Sequence, residues 1–318
     1  MKLKINSVLD KYVDVYSYVS VDEYIKTRSS LLKEDIFNDY NKIKEYKTII
    51  TLAIPYPSKI VSNKDLHVGV LSRYSYGIDY HLVFRKLLQE IEADLQKLGL
   101  KTYGTVDTGD IDERWAGYIA HMGFLGKSQF LITEKYGSYV YLATILIDQE
   151  VEKQFSIQDT CGTCNLCVTA CPTNALDGKF IQERCISELT QSKKDLSEDE
   201  IGSIRHLVYG CDICQQVCPK NKGIDVHLFE EFEPNGTEKV DLFDVLKMSN
   251  REYKEIYGNN ASSWKGATII KRNALCLLGN RGVTESIPLI KETIDKYHDI
   301  IWYNNVALKV IRKLERKI

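Results

Sequence analysis

Cys161-Gly-Thr-Cys164-Asn-Leu-Cys167-Val-Thr-Ala-Cys171-Pro172 is the most constraining stretch of this sequence. Its spacing, C-x2-C-x2-C-x3-C-P, is the one with which bacterial ferredoxins hold 4Fe-4S clusters. In that motif three thiolates bind one cluster and the fourth crosses to the other. The stretch therefore predicts a segment that holds two iron–sulfur clusters.

A second run, Cys211-Asp-Ile-Cys214-Gln-Gln-Val-Cys218-Pro219, has the crossing Cys-Pro but lacks a leading cysteine. Cys185 lies between the two runs and can supply it. The predicted ligands of the first cluster are Cys161, Cys164, Cys167 and Cys218. Those of the second are Cys171, Cys185, Cys211 and Cys214.

Two other uses of these cysteines fit the sequence less well than the clusters do. Zinc sites usually combine two CxxC pairs or a Cys/His set, and this spacing fits them poorly. Disulfides are disfavoured because nothing else marks the chain as secreted. The ninth cysteine, Cys276, lies within Ala274-Leu-Cys-Leu-Leu278 and is typical of a small core residue of a helix.

Length and charge bound the remaining possibilities. The chain has 318 residues, which suggests two or three domains, and no apolar run approaches the roughly 20 residues that span a bilayer. The start, Met1-Lys-Leu-Lys-Ile-Asn6, has no apolar signal core, so the expected location is the cytoplasm, with no membrane contact.

The C-terminal segment is basic. Residues 261–318 carry eleven Lys/Arg against five Asp/Glu, whereas the whole chain has a net charge of −2. A basic terminal domain suits a polyanionic partner, and a solvated helical surface explains it equally well.

The periodicity of apolar residues predicts an α+β fold in three domains. Strands are expected at 48–54, 102–106 and 139–147, and helices at 79–98, 111–121, 264–279 and 286–317, with a helical start over the first 46 residues. The expected domains are 1–150 (α/β), 151–222 (two clusters) and 223–318 (helical, as in a repeat pair).

Some motifs suggest other cofactors but are incomplete. Gly126-Lys127-Ser128 imitates the end of a phosphate-binding loop, but the first glycine of that motif would stand at His121. The stretch 225–230 begins like a cobalt-binding histidine loop but ends in Glu230, so His227 is interpreted as a surface histidine. His81, at the start of the strongest helix, suits a capping or pocket role.

Several stretches make the chain resemble the epoxyqueuosine reductases over about residues 50–310. They are Ser72-Arg-Tyr-Ser-Tyr-Gly-Ile-Asp-Tyr-His81, Val106-Asp-Thr-Gly109, Gly123-Phe-Leu-Gly-Lys127, Arg184-Cys-Ile-Ser187, Tyr209-Gly-Cys-Asp-Ile-Cys-Gln215, Lys271-Arg-Asn-Ala-Leu275 and Leu278-Gly-Asn280. Ferredoxin spacing alone fits many proteins, whereas the stretches around Cys185 and Cys211 are far more specific.

The resemblance implies a cobalamin-binding N-terminal domain, a two-cluster ferredoxin-like insert and a HEAT-like C-terminal unit that holds tRNA. The implied reaction is the two-electron removal of the epoxide oxygen of epoxyqueuosine at the wobble position, which completes queuosine. The family's proton donor corresponds to Asp107, and its acid role would require burial that raises the pKa of the carboxyl. Without the resemblance, Asp107 would be interpreted as a turn-capping residue. The implied cobalamin contacts are Arg73, Asp107, Leu131, Leu142 and Ser187.

The chain also departs from the family pattern. Asp110 replaces a proline, Ile78 an arginine, Ala143-Thr144 a Gly-Glu pair and Lys220 a tryptophan. These changes concern the substrate more than the cofactors.

The resemblance also suggests partners. The candidates for phosphate contact in tRNA are Lys265, Lys271, Arg272 and Arg281, for which a solvated helix surface is the plain alternative. A low-potential donor such as flavodoxin or ferredoxin and a monomeric state are expected. Two alternatives remain: a related corrinoid reductase that acts on a small molecule, and an electron carrier without catalysis.

Overall fold

The computed structural model describes residues 1–31, 42–107, 109–153 and 159–317. Its strands are β1 (Tyr16–Ser20), β2 (Thr48–Pro55), β3 (Val68–Leu71), β4 (Thr102–Thr105), β5 (Gly123–Leu125), β6 (Leu131–Thr133), β7 (Val140–Ile147), β8 (Leu207–Tyr209) and β9 (Lys239–Asp241). The helices before the cluster region are α1 (Lys2–Leu9), α2 (Val21–Leu31), α3 (Tyr80–Gln96) and α4 (Glu113–Ile119). Those that follow are α5 (Leu166–Ala170), α6 (Ile186–Leu189), α7 (Glu198–Ser203), α8 (Ile213–Gln216), α9 (Leu242–Lys247), α10 (Asn250–Tyr257), α11 (Ala267–Arg281), α12 (Ile287–Lys296) and α13 (Ile301–Glu315).

The chain divides into two compact units, and each of them is assembled from three separate segments. The first unit contains residues 1–56, 80–165 and 218–228. The second contains residues 57–79, 166–217 and 229–318. This division differs from the three contiguous domains that the sequence predicts, because segments far apart in the chain complete each unit.

A four-stranded antiparallel sheet with the order β1-β2-β7-β4 forms the centre of the first unit. Strand β2 is buried along its whole length, which explains its run Ile49-Ile-Thr-Leu-Ala-Ile54, apolar except for Thr51. Helix α3 buries one face, with Phe84, Leu88 and Ile91 inward, at the helical spacing that predicts it.

The second unit combines a small sheet with the C-terminal helices. In the order β8-β3-β9, strand β3 pairs parallel with β8 and antiparallel with β9. The apolar core of the second unit extends from these strands to α11, whose residues from Ile269 to Gly279 are all buried. A helix covered on all sides is the central element of its layer, and α9 and α13 pack against it.

Most predicted elements have their expected positions, with two corrections. The first 46 residues contain strand β1, whereas the sequence suggested helix alone; residues 32–41 lie outside the described part. The predicted helix 286–317 is two helices, because the chain turns between Lys296 and Ile301. No helix in the described ranges is both long and apolar enough to cross a membrane.

The prediction that Lys271 and Arg272 contact phosphate is wrong, because both side chains are 0% exposed. The Nη2 of Arg272 donates to the carbonyl oxygens of Leu189 (2.7 Å) and Ser192 (3.2 Å). The Nζ of Lys271 donates to the Tyr297 hydroxyl at 2.7 Å, and burial lowers the pKa of Lys271 to about 8. These cations are structural, since they satisfy buried polar groups from inside the core.

Because Arg272 is buried and hydrogen-bonded, its replacement should lower the free energy of unfolding. Arg272→Met keeps the aliphatic bulk but removes the guanidinium donor from the carbonyls of Leu189 and Ser192, which leaves Leu189 with only the Ser192 hydroxyl at 3.4 Å. Each lost donor costs about 1–3 kcal/mol. We therefore expect the free energy of unfolding to fall by at least about 2 kcal/mol. Lys265→Met, a change at the partly exposed Lys265, should stay within about 0.5 kcal/mol. Equal unfolding midpoints for the two variants would contradict the structural role.

Candidate active site and cluster-binding region

Asp107 lies in the loop that follows β4, two residues beyond the end of the strand. Its backbone has φ +57°, in the left-handed region that few non-glycine residues adopt. Gly109 fits the same loop because an added Cβ would lie 2.3 Å from the Thr105 hydroxyl oxygen. Asp107 therefore has an uncommon backbone conformation, and its carboxyl faces outward, with 56% of the side chain exposed.

His81 is the principal partner of Asp107. It lies at the start of α3, and its Nε2 is 3.1 Å from Oδ2 of Asp107. This hydrogen bond is the main reason why the pKa of Asp107 lies below its usual range, and partial burial acts against it. The expectation that burial raises the pKa of Asp107 is therefore wrong for this structure.

Glu113, the first residue of α4, is the carboxyl in this region that holds its proton more tightly than an ordinary glutamate does. Burial raises its pKa to about 7, and hydrogen bonds from the backbone N–H groups of Glu113 and Asp107 act in the opposite direction. Its Oε1 is buried and has no hydrogen-bond partner in the described part of the chain. No sequence pattern marks this residue, since an acidic residue in the first turn of a helix is commonplace.

Aromatic rings support the His81–Asp107 pair from one side. The ring of Tyr80 stacks on that of His81 at 4.1 Å between centroids and on that of Tyr141, from β7, at 4.7 Å. A hydrogen bond from Tyr80 also lowers the pKa of Asp107. These contacts restrict the orientation of the imidazole.

The four predicted ligands of the second cluster all belong to the second unit and lie close enough to influence one another. The pKa of the Cys211 thiol is raised to about 12, mainly by burial and with smaller contributions from the neighbouring Cys185 and Cys171. Burial likewise raises the pKa of Cys214, with contributions from Cys211 and Cys185. Thiols so placed ionise readily only when a metal centre compensates their charge. The donor set fits a thiolate-bound cluster.

A buried ion pair holds the chain between two of these cysteines. Asp212 accepts hydrogen bonds from the backbone N–H of Arg73 at 3.0 Å and from its Nε at 3.2 Å, and both side chains are 3% exposed. Next to them, Gly210 has φ +74°, and an added Cβ would lie 2.0 Å from the Ser72 hydroxyl oxygen. Arg73 is therefore a support for the cluster loop, which sequence reasoning did not foresee.

Three of the four predicted ligands of the first cluster, Cys161, Cys164 and Cys218, belong to the first unit. Burial raises the pKa of the Cys218 thiol, and the nearby Cys161 and Cys164 raise it further. Cys167 follows Cys164 by three residues and is assigned to the second unit. The structure thus brings together residues that are more than fifty positions apart in the sequence.

The other predicted contacts differ in exposure. Leu131 is 2% exposed within the core of the first unit, whereas Leu142 is partly exposed on β7. Ser187, in α6, accepts a hydrogen bond at its Oγ from Gln191 at 3.3 Å.

The remaining tRNA candidates lie on the second unit. The Nζ of Lys265 lies 3.7 Å from the ring centroid of the exposed Trp264, and Arg281 donates to the carbonyls of Leu66 and Val68. Their cofactor and tRNA contacts remain predictions.

Comparison with known sequences places this site in a family. Residues 160–221 match the family described as "4Fe-4S double cluster binding domain" and residues 40–108 the family described as "Epoxyqueuosine reductase QueG, DUF1730". The epoxyqueuosine reductase of Lactococcus garvieae is 35% identical over 284 residues, 86% of this chain and 80% of that protein. The chain belongs to the epoxyqueuosine reductase family. The family member from Bacillus anthracis is 40% identical over 251 residues, 76% of this chain and 66% of that protein.

Solved structures of epoxyqueuosine reductases have the same fold. The enzyme from Bacillus subtilis, with its catalytic aspartate loop swung out of the active site, matches with a TM-score of 0.87 and 32% identity over 98% of this chain and 90% of its own. An epoxyqueuosine reductase with an epoxyqueuosine-modified tRNA-Tyr stem loop matches with a TM-score of 0.83 and 30% identity, over 99% and 98%.

Cys185 provides a test of the ligand assignment. Cys185→Ser should lower the iron content after anaerobic reconstitution from about eight to about four atoms per chain, since one cluster loses a ligand. The buried Cys276 is the matched control, because Cys276→Ser removes a thiol that lies within α11. Loss of iron in both variants, or in neither, would refute the assignment of Cys185.

Glu113 makes stability depend on pH. Its pKa is about 7 in the folded chain against 4.5 for a free side chain, so the folded state holds the proton more tightly. Stability is then full below about pH 4.5 and falls as pH rises towards 7, by up to about 3 kcal/mol. Glu113→Gln should remove this decline in thermal unfolding across that window. The exposed Glu134→Gln should retain it, and an unchanged slope in Glu113→Gln would exclude Glu113 as its source.

Proposed function

We propose that this chain reduces epoxyqueuosine to queuosine at the wobble position of tRNA, with electrons delivered through two 4Fe-4S clusters. The overall reaction consumes two electrons and two protons and releases the epoxide oxygen as water. The observation that carries the proposal is the combination, in one family member, of eight grouped cysteines with the His81–Asp107 pair. The relative with the modified stem loop, which matches 99% of this chain, supports tRNA as the substrate.

The ligands of the clusters follow from the cysteine groups. The first cluster takes Cys161, Cys164, Cys167 and Cys218, and the second takes Cys171, Cys185, Cys211 and Cys214. The mutual influence of Cys185, Cys211 and Cys214 supports the second set. Their burial disfavours free thiolates and favours a metal centre that compensates their charge.

Cobalamin is the proposed third cofactor. When bound, it supplies a cobalt centre that accepts electrons and reacts at carbon. The exposed Asp107 and the partly exposed Leu142 fit a cofactor with a broad apolar face, and Leu131, whose side chain is buried, would contribute through its backbone. Arg73 and Ser187 belong to the second unit, and the guanidinium of Arg73 is occupied by Asp212, so its contact is the weakest of the set.

Asp107 and His81 act together as the acid. Because His81 lowers the pKa of Asp107, the carboxylate is ionised, and when His81 is protonated its Nε2 proton lies at the contact with Oδ2. A leaving oxygen that reaches the exposed carboxyl can take this proton, and the imidazole then becomes neutral. Tyr80, stacked on His81, keeps the ring aligned for the transfer.

The tRNA surface is assigned to the C-terminal helices. Lys265, held against the exposed Trp264, combines a cation with an aromatic face, a pairing that suits a nucleotide. The half-buried Arg281 is a second candidate. The chain would work as a monomer in the cytoplasm with a flavodoxin or ferredoxin as electron donor, and its C-terminal helices would be a HEAT-like unit.

The decisive experiment is anaerobic turnover of tRNA that carries epoxyqueuosine, with cobalamin, a low-potential reductant and mass spectrometry of the nucleosides. The wild-type chain should produce queuosine. Asp107→Ala should lower kcat by about 100-fold or more, the typical contribution of a general acid, with unchanged iron content. His81→Gln should reduce the rate and shift its pH profile, because the shared proton is lost.

Asp110→Asn is the control for a carboxylate in the same loop and should keep most of the activity. If the protein binds cobalamin and both clusters but leaves the tRNA unchanged, the small-molecule reductase becomes the better description. If Asp107→Ala retains full activity, the acid is a different residue.

A further inference from the structure

Lys127 stands in a turn whose sequence imitates a phosphate-binding loop, and its contacts assign it a different role. The turn joins β5 to β6 in the first unit. Within it, the N–H of Gly126 donates to the carbonyl of Phe130, and that of Gln129 to the carbonyl of Gly126, both at 2.9 Å. The backbone around Lys127 is therefore fixed by the hairpin.

The ammonium group of Lys127 closes the turn that carries two of the proposed ligands. Its Nζ donates to the carbonyls of Cys164 at 2.8 Å and Gly162 at 3.2 Å, and to Oδ1 of Asn165 at 2.7 Å. An ammonium has three donors, and these contacts use all of them. The side chain thus ties residues 162–165 to the hairpin.

The backbone of Lys127 contacts a ligand directly. Its N–H lies 3.4 Å from Sγ of Cys161, within the range of a hydrogen bond to sulfur. Hydrogen bonds to the sulfurs of a cluster are among the factors that set its reduction potential. One residue therefore contacts the same cysteine turn through both its main chain and its side chain.

The charge of Lys127 is not neutralised by these contacts, since two carbonyls and one amide oxygen accept its hydrogen bonds. Lys220, next to Cys218, differs because it forms an ion pair with Asp159. A fixed positive charge beside a cluster favours the form that carries the additional electron. Lys127 therefore stabilises the reduced state electrostatically as well as holding the ligands.

We propose that Lys127 is a positioning residue for the first cluster, which clamps the Cys161–Asn165 turn and makes this cluster easier to reduce than its surroundings would otherwise allow. The inference rests on the proposed loading of the first cluster but not on the identity of the substrate. The stretch Gly123–Lys127, which resembles the corresponding stretch of the epoxyqueuosine reductases, would then contribute to electron delivery through Lys127.

Three variants of Lys127 separate the clamp from the charge. Lys127→Gln keeps N–H donors without the charge, Lys127→Arg keeps both, and Lys127→Met keeps neither. The readouts are iron content after anaerobic reconstitution and the midpoint potential of each cluster from electron paramagnetic resonance. The signal that survives in Cys185→Ser identifies the first cluster.

We expect Lys127→Gln to load about eight irons and to lower the equilibrium constant for reduction of the first cluster about tenfold, which is about 59 mV for one electron. The second cluster should be unaffected. Lys127→Arg should resemble the wild type, and Lys127→Met should lose iron from the first cluster alone.

Lys135→Met is the matched control, because it removes the same charge elsewhere in the first unit, where Lys135 pairs with Asp14. It should change neither iron content nor potential. Wild-type potentials in Lys127→Gln, or an equal shift of both clusters in Lys127→Gln and Lys135→Met, would overturn the proposal. Since no substrate enters the measurement, a chain that loads both clusters but leaves tRNA unchanged would refute the reaction and not the role of Lys127.

Discussion

The buried ion pair between Arg73 and Asp212 is the contact on which the second unit depends. Asp212 stands between two proposed ligands, Cys211 and Cys214, and Arg73 comes from a segment about 140 positions earlier. Removing one partner of such a pair leaves an uncompensated buried charge, at about 3–5 kcal/mol. The pair therefore couples the placement of the thiols to the folding of a distant segment. The backbone N–H of Arg73 also donates to Asp212, which makes that placement specific as well as stable.

The two carboxyls near the proposed reaction centre have opposite properties although they are only six positions apart in the chain. Asp107 is exposed and paired with His81, which lowers its pKa, whereas Glu113 is buried and its pKa is raised. Environments that separate the pKa values of two neighbouring acids are common where one holds a charge and the other a proton. At neutral pH an ionised Asp107 thus precedes, in the chain, a Glu113 that is about half protonated.

Much of the fold could be predicted from the sequence, and the limits have a physical origin. The cluster-binding segment, the strands β2 and β7 and the helix α3 could be predicted because their signals lie in residues close together in the sequence. These signals are the cysteine spacing, the apolar runs of the strands and the periodic apolar face of the helix. The burial of Lys271 and Arg272 was missed because two adjacent cations in a helix resemble a solvated surface until the buried oxygens that accept their hydrogen bonds are known. The electrostatics of Asp107 depend on His81, which lies 26 positions away, and no local pattern reports that contact.

The segmented construction of the two units also has a consequence for synthesis on the ribosome. The first unit lacks its third segment until Leu228 has emerged, and the core of the second lacks α13 until residue 301 and those after it are made. Contacts between such distant segments slow folding, and a partly made chain exposes apolar surface meanwhile. Neither unit corresponds to a continuous stretch that could be expressed as a fragment. Insertion of the iron must therefore follow translation of most of the chain, and truncated products would be substrates for proteolysis rather than partial enzymes.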